Sequence, residues 1–208
     1  MPRDLGGTRW KRFACVLAPS MLAAAALTVS LAQGALAVSF FISGERFKVF
    51  TRTLTGEGVS LYGMVDRTRS GELIPVLVAG IERAKINGLC QSLVVPIPLL
   101  GPYTLRLTSA EDGTPARAKD LFLDITDGRA GHASLHDVDI GIAAGSLTTG
   151  PVSPGDRRSP FFDPNGFAAQ SGSATLTDVR ATGVAGSAAT LDLPETHLSL
   201  RPGKNECF

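Results

Sequence analysis

Between Phe47 and Leu200 runs of residues with apolar side chains at every second position alternate with turn residues, and this period of two constrains the fold more than any other feature of the chain. Leu121, Leu123 and Ile125 alternate with Phe122 and Asp124. Val138, Ile140 and Ile142 alternate with Asp139 and Gly141, and Leu198 and Leu200 flank Ser199. Phe47 and Val49 flank Lys48, and Leu191 and Leu193 flank Asp192. A helix would repeat its apolar face every three to four residues, so the pattern specifies strands. Residues 78–85 admit a short helix as the one exception. The expected fold is a single all-β domain, either a sandwich or an irregular, elongated, β-solenoid-like structure. Glu111-Asp112-Gly113-Thr114 lies between two alternating runs and reads as a hairpin turn.

Within the runs a shorter pattern repeats. Ala84-Lys85-Ile86-Asn87-Gly88-Leu89, Ala133-Ser134-Leu135-His136-Asp137-Val138 and Ala174-Thr175-Leu176-Thr177-Asp178-Val179 share one form. A small residue and two aliphatics are set as A-x-φ-x-x-φ, with Gly or Asp before the last. The step from two-residue to three-residue spacing implies a bend or bulge inside each strand. Such a bend would keep both aliphatics inward.

The first 37 residues differ from the rest. Arg3, Arg9, Lys11 and Arg12 precede an Ala- and Leu-rich stretch that ends at Ala35-Leu36-Ala37. A basic start, an apolar middle and an A-x-A end are the parts of a secretory signal peptide, helical and cleaved after Ala37. The expected organisation is therefore a signal peptide, 1–37, and a secreted domain, 38–208. That domain carries sixteen Lys and Arg against eighteen Asp and Glu. Near-zero charge argues against nucleic acid, and no stretch of the mature chain is long and helical enough to span a membrane. Its two cysteines, Cys90 and Cys207, read as one disulfide in an oxidising compartment. In the chain-entropy model a crosslink over so long a loop stabilises by roughly 4–5 kcal/mol.

Two segments depart from the alternation. Residues 88–105 carry no charge and include Leu93, Val94, Val95, Ile97, Leu99 and Leu100, interrupted by Pro96, Pro98 and Pro102. The prolines exclude a membrane helix and a central strand, leaving an extended crossing of the core or an apolar wall for a ligand. Val94, Val95, Ile97 and Leu99 are the candidate contacts. Residues 145–166 hold Pro151, Pro154, Pro160 and Pro164 and read as a long surface loop. Phe161 and Phe162 in that loop, beside Arg157 and Arg158, either touch a membrane or partner or staple the loop to the domain.

Chemistry is sparse. There is no G-x-S-x-G, and the only candidate bases in the mature chain are His132, His136 and His197. His132 and His136 near Asp137 and Asp139 suggest a metal, but His136 fills the repeat position held by Asn87 and Thr177 and reads as a polar bend residue. No catalytic residue, metal or cofactor is expected. Leu193-Pro194-Glu195-Thr196 opens like a sortase signal, yet His197 follows where that signal needs Gly.

Several segments taken together resemble a known family. They are Arg9-Trp10-Lys11-Arg12-Phe13, Leu31-Ala32-Gln33-Gly34-Ala35-Leu36-Ala37, Phe47-Lys48-Val49, Ile86-Asn87-Gly88-Leu89-Cys90-Gln91-Ser92, Val138-Asp139-Ile140-Gly141 and Glu206-Cys207-Phe208. The chain resembles a family of secreted actinobacterial proteins classed as a domain of unknown function. Some of its members carry the label "cholesterol esterase". The resemblance implies export and pairing of Cys90 with Cys207. The role expected is an exported, non-enzymatic cell-envelope protein, secreted or wall-associated, that binds lipid or another surface component through an apolar groove. The alternatives are a self-associating structural surface protein, with a homo-oligomer, and a secreted lipid or sterol esterase of the serine hydrolase type.

Overall fold

The computed structural model describes residues 44–208. The expected signal peptide, 1–37, lies outside the described residues. Among the described residues nine strands form one antiparallel sheet. They are β1 (Phe47–Arg67), β2 (Leu73–Asn87), β3 (Leu89–Ile97), β4 (Gly101–Ser109), β5 (Ala116–Arg129), β6 (His132–Ala143), β7 (Phe167–Ser187), β8 (Thr190–Asp192) and β9 (His197–Pro202). The all-β expectation holds. Residues 78–85, open to a short helix in the sequence, lie within β2.

The sheet closes on itself instead of dividing into two packed layers. β1 pairs with β2, β2 with β5, β5 with β7, and β7 returns to β1. Two extensions leave this ring. β6 pairs with β7 beyond the stretch that β5 occupies. β3 pairs with β1 over Phe47 to Phe50 and leads out to β4 and β9. The turn at Glu111-Asp112-Gly113-Thr114 does form: the Thr114 N–H donates to Asp112 Oδ1 at 2.9 Å. It does not make a hairpin, however. β4 pairs with β3 and β9, while β5 pairs with β2, β7 and β8. Local turn chemistry fixed the reversal but not the partner.

The bends inferred from A-x-φ-x-x-φ are present. Gly88, Asp137 and Asp178 take φ of 63°, 54° and 49°, the left-handed region, within or between strands. Two further strands carry the same device. Gly58 in Leu54-Thr55-Gly56-Glu57-Gly58-Val59 and Asp120 in Ala116-Arg117-Ala118-Lys119-Asp120-Leu121 have φ of 63° and 47°. Gly has no Cβ to clash there, and Asp is among the few other residues that tolerate the region.

These bends divide the core. Tyr62, Met64, Ile74, Val76, Val78 and Phe122 pack in one cluster. Ile81, Ala84, Ile86, Leu89, Ala116 and Ala118 pack in another. In β1 and β5 the change of cluster falls close to the left-handed residue, Gly58 or Asp120, whereas β2 changes cluster between Val78 and Ile81 without one. The inward placement expected for the aliphatics fails in β6, where Leu135, Val138 and Ile140 are exposed. β6 is an edge strand flanked only by β7, so its copy of the motif has no second layer to bury it.

Candidate functional site

The uncharged segment 88–105 is a hairpin, β3–β4, not a buried crossing. Only residues 90–93 of β3 have β1 beside them. Pro96 therefore lies past the doubly paired stretch, facing its partner Pro102, where a missing N–H leaves no gap in a central ladder. The tip is a tight turn. Leu100 N–H donates to the Ile97 carbonyl at 3.2 Å, and Pro98 and Leu99 occupy the two central positions. Leu99 has φ 70°. Pro followed by a positive φ is the type II arrangement, whose second central position favours Gly. Here that position holds a leucine that is 105% exposed, followed by Leu100 at 67%.

Behind the tip, cross-strand register sorts the hairpin into two faces. Leu93, Leu105 and Leu200 share one row, and Gln91, Leu107 and Leu198 the next. Val95 and Tyr103 continue this face toward the tip. Leu107 and Val49 join it to the second core cluster, whereas Leu198 and Leu200 are exposed. The result is a shelf of apolar side chains that runs from the core to the tip. The opposite face holds Val94, Thr104 and Arg201 in one row and Ser92 and Arg106 in another. The C-terminal residues cross this second face. Cys207 bonds to Cys90 through the expected disulfide, its N–H donates to Ser92 Oγ at 3.0 Å, and Asn205 N–H donates to Thr104 Oγ1 at 2.8 Å. Of the candidate contacts, Val95, Ile97 and Leu99 thus belong together on the shelf and its tip, and Val94 points to the other side. The arrangement is an open face, where a groove was expected.

Phe161 and Phe162 belong to a different element, the segment that connects β6 to β7. Phe162 packs edge-on against Tyr62, with centroids 5.9 Å apart, and Phe161 is exposed. The segment is stitched down. Ser60 Oγ donates to the Pro151 carbonyl at 2.5 Å, and the Gln170 side-chain oxygen accepts from Thr148 N and Thr149 N at 2.9 Å each. Leu147 and Val152 are buried in the first cluster.

Beneath that segment lies a group of acids that the sequence reading missed. Tyr62 hydroxyl donates to Asp156 Oδ2 at 2.6 Å and accepts from Ser153 N–H at 3.1 Å. Asp66 and Asp124 face the same space. Burial, the charges of Asp66 and Asp156, and a hydrogen bond to Asp66 push Asp124 up to about 8. Burial also raises Asp66 and Asp156. Asp66 Oδ2 is sequestered without a hydrogen-bond partner. Among the described residues no group of three or more His, Cys, Asp or Glu is placed to hold a metal ion. His132 and His136 lie on β6 and His197 on β9. Among the described residues no seryl hydroxyl bonds to an imidazole; Ser171 Oγ donates to the backbone carbonyls of His136 and Ser173, at 2.7 Å each.

A family model described as a family of unknown function, DUF6230, matches residues 43–208. The chain belongs to the DUF6230 family. No curated protein and no solved structure matches it. The match to DUF6230 takes in every strand of the sheet, the β3–β4 hairpin and both cysteines of the disulfide. It agrees with the resemblance to a domain of unknown function read from the sequence.

Proposed function

We propose that this protein is an exported, non-enzymatic envelope protein that docks on a lipid surface through the tip of the β3–β4 hairpin and the apolar shelf behind it. One observation carries the reading: Leu99 occupies a left-handed turn position while fully exposed. A side chain there strains the backbone by roughly 1–2 kcal/mol, and its exposed surface contributes nothing to folding. Glycine would serve the fold better, so leucine is retained for a contact outside the domain. The two strands pair with each other along the hairpin and at the turn, but residues 94–97 of β3 have no strand on their outer edge, so only the Leu99–Leu100 tip is placed to enter an apolar medium. Arg201 stands about three residues back from Ile97 along the ladder, roughly 10 Å, where a headgroup would meet it.

The test is vesicle flotation with phosphatidylcholine–phosphatidylglycerol liposomes. Burial of two leucines contributes about 3–6 kcal/mol, so Leu99→Ser with Leu100→Ser should weaken binding at least a hundredfold. Its thermal midpoint should match or exceed that of the parent. Failure of the unaltered protein to float would end this reading.

A second reading rests on the sheet edges. β6 and β9 are the terminal strands, and Val138, Ile140, Leu198 and Leu200 on them are exposed. Edge-to-edge pairing of copies would make a structural assembly. Sedimentation equilibrium separates the two readings: a stable oligomer dispersed by Ile140→Lys supports assembly, and a monomer rejects it.

A further inference from the structure

Phe50 on β1 stands opposite Arg180 on β7, and Arg180 stands opposite Arg129 on β5. Residues opposite one another in antiparallel strands project to the same face, with Cβ atoms about 5 Å apart. The guanidinium of Arg180 lies 5.8 Å from the Phe50 ring centroid, which supports it from one side. Like charges directly opposite destabilise a sheet unless something neutralises them. Nothing in the described residues does so. Asp127 and Asp178 lie two positions away along the strands, but the ion pairs present are Lys48–Glu206, Arg83–Glu57 and Arg83–Glu82. Arg180 Nε is moreover buried with no acceptor. An unmet buried donor on a charged group is costly, and here it belongs to the more sheltered member of a repelling pair.

We propose that Arg129 and Arg180 form a binding site for the phosphate group of a soluble ligand. Two guanidinium forks on register-paired positions of neighbouring strands offer donors for the several acceptor oxygens of a phosphate, and their two positive charges match a group carrying close to two negative ones. A single carboxylate would satisfy one fork and leave the other charge uncompensated. The site does not depend on the lipid reading. Its row meets β3 at Cys90, seven residues from Ile97 and roughly 23 Å from the hairpin tip. A headgroup of a bilayer entered by Leu99 would not reach it.

The experiment is a thermal shift and calorimetric titration of the full domain with sodium pyrophosphate and inorganic phosphate, against sodium chloride and acetate at matched ionic strength. The phosphates should raise the midpoint and the controls should not. Arg129→Gln, at an exposed position, should raise the ligand-free midpoint by removing the repulsion, yet weaken pyrophosphate binding at least tenfold. Arg129→Lys keeps the charge without the fork and should fall between the two. A purely structural role for Arg129 would lower the ligand-free midpoint. The proposal is overturned by absence of a shift at roughly 10 mM phosphate. It is equally overturned by a shift that survives in Arg129→Gln, or by binding to phosphatidylglycerol vesicles with no response to free phosphate.

Discussion

Tyr62 on β1 and Asp156 in the connection between β6 and β7 are joined by a hydrogen bond of 2.6 Å, ninety-four residues apart in sequence. Tyr62 is fully buried, and its ring also carries Phe162. One side chain thus fills the first core cluster and latches the segment that covers it. Tyr62→Phe keeps the ring and removes the latch, leaving Asp156 with Ser153 but not Tyr62 as a donor, and Ser153 N–H without its acceptor. The expected loss is about 1–3 kcal/mol of stability. Hydrogen exchange should quicken across 145–166 while β1 stays protected. Uniform exchange across both would show that the segment is held by its apolar contacts alone.

The acids beneath the segment make stability depend on pH in an unusual direction. An ordinary Asp titrates near 3.9 when unfolded. Asp124 in the folded protein titrates at about 8, and Asp66 and Asp156 are raised as well. Between these values the folded state holds more protons than the unfolded one. Stability from this cluster is therefore fullest below about pH 4 and is lost as pH rises toward about 8. Asp124→Asn keeps the shape, cannot ionise, and can donate to Asp66. It should flatten the profile and add roughly 2–4 kcal/mol near pH 8. Urea midpoints from pH 4.5 to 8.5 provide the comparison; parallel curves for the two proteins would refute the assignment.

Asp124 also shows what the sequence left hidden. The run Leu121 to Ile125 displayed its period clearly, with Phe122 and Asp124 on the face opposite Leu121, Leu123 and Ile125. The ring closure of β1, β2, β5 and β7 puts that side against the first core cluster. Alternation specifies that a strand has two faces but not which one a distant strand will cover. The same limit explains β6, where correctly spaced aliphatics end on an open edge. Left-handed bends were more legible, because a lone Gly or Asp before the second aliphatic carries the backbone requirement in its own chemistry. Three of the five were readable from A-x-φ-x-x-φ; Gly58 and Asp120 escaped because Leu54, Gly56 and Ala118 break its residue pattern. The hairpin segment was recognisable as uncharged and proline-broken. Its exposure was not, since the length of β1 beside it decides where the tip begins.

The bends themselves can be tested at Asp178, whose φ is 49°. Asp178→Gly relieves the left-handed strain and should change stability by less than about 1 kcal/mol, in either direction. Asp178→Val places a branched side chain in a region it avoids and should destabilise by roughly 2–3 kcal/mol. Equal urea midpoints for the two variants would show that the strand regains a regular path without the bend.

The disulfide joins β3 to residues that make no strand of their own. Cys90 and Cys207 are 117 positions apart, and the tail between β9 and Phe208 is otherwise held by Thr104, Ser92 and Lys48. Lys48 Nζ donates to the Phe208 carbonyl at 2.8 Å and pairs with Glu206 at 3.3 Å, both part-exposed. Partly exposed ionic contacts of this kind contribute little. Reduction, or Cys90→Ser with Cys207→Ser, should therefore release the tail and lower stability by about 3–5 kcal/mol, since the closed loop spans most of the described sheet. The free tail would uncover Ser92 and Thr104 on the face opposite the apolar shelf. Exchange should then rise at Asn205 and Cys207 first and spread to β9, with β1 and β2 unaffected. A reduced protein with an unchanged melting midpoint would mean that Ser92 and Thr104 hold the tail without the crosslink.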